Sequence, residues 1–255
     1  MTAVAALGFQ SCTDWDDHYD VTTDGSGVSD QTLWEQISNN PKLSNFAALM
    51  KKVGYDKALS TNQSYTVWAP SNDAFDFEKY NAMSDSLLKA EFLNNHIARG
   101  YHRATGEINE RVHLLNKKVM AFQGNGRYTL GNIAIDSTNM LGKNGIIHLM
   151  SSYMDFRPNF YEEFLRNENT TSLAQLYKSA MKREIDKENS IEGPIKDGAM
   201  TYLDTVYVES NKMFNYLNSK LTTEDSTYTM IVPTDKAWAT AYEKVKSYYK
   251  YPKSI

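Results

Sequence analysis

Tyr65-Thr66-Val67-Trp68-Ala69-Pro70-Ser71-Asn72-Asp73-Ala74-Phe75 is the stretch whose reading decides the fold. Its first five residues are aromatic, β-branched or small and apolar, the make-up of a buried strand. Pro70 cannot donate to a sheet ladder, so it closes the run. Ser71 or Asn72 then offers the side-chain oxygen that caps a new helix. The same design returns at Tyr228-Thr229-Met230-Ile231-Val232-Pro233-Thr234-Asp235-Lys236-Ala237-Trp238. Tyr-Thr, apolar residues, Pro, a hydroxyl, Asn or Asp, and Ala before an aromatic recur at a fixed offset. A match of that length marks an internal repeat, so the chain is expected to hold two copies of one domain type.

Size and composition fit this. The 255 residues are 41% hydrophobic and 12% aromatic, enough for packed cores and against global disorder. The formal charge of −4 leaves no concentrated basic face for nucleic acid. Seventeen tyrosines against ten phenylalanines tilt the chain towards amphipathic aromatics, as suits extracellular surfaces and sheet faces. No apolar run of about 18 residues is present, so no transmembrane helix is expected.

The single cysteine follows an apolar or small-residue stretch, residues 1–11. That order resembles the end of a bacterial lipoprotein signal peptide, which implies that Cys12 becomes the first mature residue and carries acyl chains. No basic residue precedes the apolar stretch, so a start further upstream is expected. The competing reading is a buried free cysteine in a short strand. Residues 12–28 hold Asp14, Asp16, Asp17, Asp20 and Asp24 and read as a solvated tether. Acidic residues after such a cysteine resemble an export signal to the outer face of a Gram-negative outer membrane. A calcium loop is excluded, since the sixth-position glycine and twelfth-position glutamate of an EF-type site are missing.

From Ser29 a helical period begins. Ser29 or Asp30 is placed to cap a helix with Leu33, Trp34 and Ile37, and a second helix after Pro41 carries Phe46, Ala47, Leu49 and Met50 and stops at Gly54. Ser84 opens a further helix whose apolar face runs Leu88, Phe92, Leu93, His96, Ile97. After Gly106 the period changes to that of strands: 112–115, 119–122, 128–130, 133–135 and 146–150. Turns are expected at Asn125-Gly126, Gly131-Asn132 and Asn144-Gly145. Helices followed by a run of strands predict an α+β fold.

Two stretches carry a family resemblance. Val67–Phe75, with Pro70, Asn72, Asp73 and Phe75, resembles the first signature of the fasciclin domain. Asn144-Gly145-Ile146-Ile147-His148 resembles the second. Between them the family has a Tyr-His pair followed by glycine, and here Asn95-His96 with Gly100 stands in that place. The resemblance covers residues 29–158 and implies a β-sandwich or wedge of about seven strands with helices packed on one side. It also implies adhesion or protein interaction outside the cell.

The second copy spans residues 159–255. Leu173, Leu176, Tyr177 and Ala180 repeat the second helix with Leu173 in the place of Leu43, and Pro233 and Asp235 repeat the motif. An insertion is expected at about 186–210, with a strand-like run at Tyr202–Val208. The strand half and its Asn-Gly-x-x-His signature do not follow, so either the chain is a fragment or a partner covers the exposed faces of this copy, and a fragment is the expectation.

Catalytic constellations are thin. His96 and His102 do not share a helical face at metal-ligand spacing. His148 lies in an apolar strand and reads as a backbone-bonded core residue. Ser71 lacks the Gly-x-Ser-x-Gly elbow, and adjacent Glu162 and Glu163 diverge on a helix. Gly124, Gly126 and Gly131 lack the Lys-Ser/Thr of a phosphate loop. The terminal lysines interleaved with tyrosines match opposite faces of one amphipathic helix. The expectation is therefore a non-enzymatic, cofactor-free, lipid-anchored surface protein that binds another protein or a surface glycan. The alternative is an accessory or glycan-capturing subunit of a TonB-dependent outer-membrane nutrient transporter.

Overall fold

The computed structural model describes residues 29–249, apart from 167–171, 188–189, 222–223 and 225–227. Cys12, the signal-like stretch and the acidic tether lie outside the described residues. The fold is α+β.

The first unit opens with α1 (Leu33–Ser38), α2 (Ser44–Lys52) and α3 (Tyr55–Ala58). Thr32, rather than Ser29 or Asp30, caps α1. Its hydroxyl accepts from the Glu35 amide while the Glu35 carboxylate accepts from the Thr32 amide, a reciprocal arrangement that fixes the helix start. Gly54, at φ +84°, turns the chain out of α2 in the left-handed region.

β1 (Tyr65–Pro70) is buried along its whole length. A 3-10 turn at Asn72–Ala74, α4 (Phe77–Asn81) and α5 (Asp85–Leu87) follow, and α5 runs on through a π turn at Leu88–Phe92 and a 3-10 turn at Leu93–Asn95. Two expectations are corrected here. Ser71 precedes the 3-10 turn without a side-chain cap bond, and the helix that follows starts at Phe77 under Asp76. Ile97 belongs not to the helix but to β2 (Ile97–Arg99), because the edge of β1 offers it backbone partners and Val67 pairs with it.

The remaining strands are β3 (Glu107–His113), β4 (Val119–Asn125), β5 (Arg127–Leu130), β6 (Ile133–Ala134), β7 (Ser137–Gly142) and β8 (Gly145–Met150). β7 escaped the apolar pattern because its register shifts between Ser137 and Met140, with Asn139 at φ +56°. The strands form two four-stranded sheets, ordered β2-β1-β8-β7 and β3-β4-β5-β6. β1 is central, antiparallel to β2 and parallel to β8, with Tyr65 opposite Gly145 and Pro70 opposite Met150. Alternation along β1 divides the core. Tyr65, Val67 and Ala69 join the helix layer with Leu33, Phe46 and Phe92, while Trp68 joins the second sheet with Phe122, Leu130 and Met150.

The second unit contains α6 (Phe160–Arg166), α7 (Ser172–Ser179), β9 (Met181–Ile185), β10 (Ile191–Lys196), β11 (Ala199–Asp204), β12 (Tyr207–Asn211), α8 (Lys212–Tyr216) and α9 (Asp235–Lys246). Strands β9 to β12 form two ribbons, β10–β11 and β9–β12, so the run Tyr202–Val208 is divided between β11 and β12. Tyr161, Phe164, Leu173, Ala174, Tyr177 and Phe214 form a small core, with Met230, Val232 and Trp238 packed on it. Tyr228–Val232, expected as a strand by analogy with β1, pairs with no strand among the described residues.

Candidate functional site

The motif residues of the first unit form a buried polar frame. The Asn144 carboxamide accepts from the Leu33 amide at 2.8 Å and donates to the carbonyls of Leu59 at 2.8 Å and Thr61 at 2.7 Å. One side chain thus fastens the start of α1 and the end of α3 to the turn before β8. Gly145 must be glycine because a Cβ there would sit 2.0 Å from the Tyr65 carbonyl oxygen. The Asn72 carboxamide accepts from the Asn45 amide at 2.9 Å and donates to Pro41 O and Ser44 Oγ, closing the N-terminus of α2. Asp73 is exposed, and Phe75 packs 5.0 Å from the Phe92 ring. Asn95 donates to Met154 O and accepts from Asn116.

Both buried histidines are fully committed to backbone. His96 Nδ1 donates to Phe92 O at 2.8 Å, and its Nε2 accepts from the Met154 amide at 2.9 Å. His148 Nε2 donates to His102 O at 2.9 Å, and its Nδ1 accepts from the Asn139 amide at 3.3 Å. Burial pulls each imidazole down to about 4, only partly countered by the carbonyl that accepts its proton. Each is therefore neutral and holds a single tautomer. His102 meets the Glu110 carboxylate at 2.7 Å, but its other ring nitrogen lies 3.0 Å from Arg99 O. Neither His96 nor His148 offers a nitrogen that could take a substrate proton. Among the described residues no group of three or more His, Cys, Asp or Glu side chains could hold a metal.

The second unit shows a contact like one part of this frame. The Asp235 carboxylate, at the position equivalent to Asn72, accepts from the Ser172 amide at 2.7 Å and hydroxyl at 3.2 Å, closing the start of α7. Thr234 caps α9 by accepting from the Ala237 amide. These contacts correct the helix alignment. Ser172 matches Asn45, so Leu173, Ala174 and Tyr177 match Phe46, Ala47 and Met50, all of them buried. Leucine spacing alone had matched Leu173 to Leu43, because apolar residues three apart on a helix share one face.

At the junction, Lys118 in the β3–β4 turn keeps 4% of its side chain exposed. Its ammonium lies 2.6 Å from Glu162 of α6 and 2.7 Å from Glu224. Lys117, at φ +67°, donates to Tyr207 O at 2.7 Å. A cleft of about 570 Å³ opens beside these contacts, lined by Lys89, Asn116, Lys117, Arg183, Tyr207 and Glu209 among others. The Arg183 guanidinium covers one face of the Tyr207 ring at 3.9 Å.

Exposed large apolar side chains concentrate in the second unit. Leu87 and Tyr101 are the large exposed ones in the first, whereas Ile195, Tyr216, Leu217, Ile231, Tyr248 and Tyr249 are all more than half exposed in the second. No sequence pattern distinguished these positions, because each occurs in an amphipathic context that a neighbour could have buried.

Comparison with known proteins gives three findings. No curated protein sequence matches the chain. A solved structure of a FAS1 domain pair from the insect cell adhesion molecule Fasciclin I resembles it at a TM-score of 0.38 and 14% identity. That likeness covers 49% of this chain and 50% of that one, so the chain spans about half the length of that structure. Residues 41–155 match the family model described as the Fasciclin domain, a span that holds the first motif, His96, Asn144, Gly145 and His148 but not the second copy.

Proposed function

We propose that the protein is a non-enzymatic surface module, held at the outer face of an outer membrane through acylated Cys12, whose fasciclin-type units bind another protein. The observation that carries this is the unequal distribution of apolar surface. The first unit seals its core, while the second presents Tyr, Ile, Leu and Val side chains to solvent on α8, α9 and the segment before α9. Extended apolar surface of this kind is what a protein partner covers. Sugar capture would call for several stacked aromatics in a cleft, and the lining of the cleft beside Lys117 holds a single one, Tyr207. The fasciclin match adds the expectation of adhesion or protein interaction. The non-enzymatic reading rests on the complete backbone bonding of His96 and His148.

The same surface supports a second reading, docking on an outer-membrane transporter. Mild detergent extraction of the tagged full-length protein, followed by mass spectrometry of what co-purifies, separates the two. A near-stoichiometric barrel protein selects the accessory-subunit reading, and recovery of acylated protein alone selects the free-standing adhesin. Cys12→Ala is expected to move the protein from the membrane to the soluble fraction; unchanged membrane association would remove the anchor.

A further inference from the structure

We infer that Asn125-Gly126 is a self-modifying site, where the Asn125 side chain loses ammonia and leaves aspartate or isoaspartate at the tip of the β4–β5 hairpin. The reaction needs neither the lipid anchor nor a binding partner.

The chain holds two Asn-Gly steps, Asn125-Gly126 and Asn144-Gly145. Both have the same chemistry open to them. The glycine backbone nitrogen attacks Cγ of the preceding asparagine, forming an N–Cγ bond while the Cγ–Nδ2 bond breaks. The proton from the glycine amide joins the departing NH2 group, which leaves as ammonia, and a five-membered imide remains. Water then opens the imide at either carbonyl. One opening gives aspartate, and the other gives isoaspartate, whose main chain runs through Cγ. Nothing is oxidised or reduced. Glycine favours the attack because no Cβ crowds its nitrogen.

Tertiary structure treats the two steps differently. Asn144 is 4% exposed, and Gly145 begins a buried strand. The Asn144 carboxamide donates to the Leu59 and Thr61 carbonyls and accepts from the Leu33 amide. Its Cγ cannot swing towards the Gly145 nitrogen without breaking all three bonds and leaving buried groups unpaired. Asn125 and Gly126 are both exposed. No hydrogen bond joins the Asn125 carboxamide or the Gly126 amide to another described residue. Gly126 stands at φ +77° with no atom within 4 Å of where a Cβ would lie, so the ring has open space in which to close.

Position also sets the consequence. Asn125 lies opposite Glu107 of β3 and Arg127 of β5. The product places a new carboxylate between that glutamate and that arginine. Isoaspartate further lengthens the main chain of the turn by one carbon, so the pairing with Arg127 loses its register. The change falls on the outer edge of the second sheet and spares Asn144, on which the α1, α3 and β8 junction depends.

The test incubates the full chain at mildly alkaline pH, folded and in urea. Peptide mapping that separates aspartate from isoaspartate follows both steps. In the folded chain Asn125 should convert at least about tenfold faster than Asn144. In urea the two rates should come within about threefold of each other, because glycine follows both and the fold no longer distinguishes them. Asn125→Gln should remove most of the ammonia released by the folded chain, and Gly126→Ala should slow it at least about fivefold. Equal conversion of Asn125 and Asn144 in the folded chain overturns the inference. A difference that persists undiminished in urea does so too, since local sequence would then decide the rates. So does an Asn125 rate more than about tenfold slower folded than unfolded, which would mean that the hairpin shields it. Undiminished ammonia release from Asn125→Gln places the reaction elsewhere and also overturns it.

Discussion

Residues 65–75 and 228–238 share a pattern but not a conformation. In the first, five successive residues form the buried middle of a sheet, and in the second the matching five join no sheet among the described residues. Local preference is nearly the same in both, since Tyr, Thr, Val, Ile and Met all suit a pleated surface. The difference lies in the neighbours. β1 has β2 and β8 on its edges and a second sheet over Trp68, and no described residue does this for Tyr228–Val232. The part that both stretches keep is the side-chain cap from Asn72 or Asp235 to a helix start, which needs just one partner. A strand is a collective structure, whereas a cap is a pairwise one.

The largest expected effect sharpens this contrast. Trp68→Ala should destabilise the first unit by about 4 kcal/mol, through lost burial and the cavity left between the sheets. Ile231→Ala at the equivalent position should stay within about 0.5 kcal/mol in the isolated chain. Urea unfolding followed by circular dichroism measures both, and comparable losses would show that Ile231 is buried in solution.

Next in size is the junction. Lys118→Ala leaves the Glu162 and Glu224 carboxylates facing each other without their shared cation, an expected loss of about 3 kcal/mol. The figure sits at the low end for buried pairs because both carboxylates remain partly exposed. Limited proteolysis between the units should accelerate in this variant. An unchanged cleavage rate would mean that the ribbons alone hold the units together.

Acid should also separate the two units. His96 and His148 are held at about 4 by burial, below the usual 6.5, so the unfolded chain binds more protons between those values. Their contribution to stability is complete above about pH 6.5 and is lost as pH falls towards 4, at up to about 1.4 kcal/mol per pH unit for each histidine. Residues 159–255 contain no histidine, so the second unit lacks this dependence. Thermal scans from pH 7.5 to 4 should show the first unit's transition falling more steeply, and parallel slopes would break the distinction.

The smallest effect tests what the two stretches share. Asn72→Ala and Asp235→Ala each remove a side-chain cap and should each cost about 1 kcal/mol. The Asn72 value should run somewhat higher because its amide also donates to Pro41 O and Ser44 Oγ. A negligible effect at Asp235 would mean that the shared frame does not form in the second unit.

Legibility followed the same division between pairwise and collective features. The helices, the hairpin turns and the α+β class could be read directly, because caps, glycines and apolar periods act within a few residues. β2 was read as helix because Ile97 continues an apolar helical face, and the open edge of β1 decided otherwise. The roles of Asn72, Asn144 and Gly145 were not legible either, since their partners at Asn45, Leu33, Leu59 and Tyr65 lie far away in sequence.

What the sequence determined by itself was that two stretches obey one rule: apolar run, proline, cap. Tertiary structure alone decided which of them becomes a strand. A strand's backbone groups and both of its faces must be satisfied by segments distant in sequence, and the first unit supplies these to β1 while the described residues leave Tyr228–Val232 half covered.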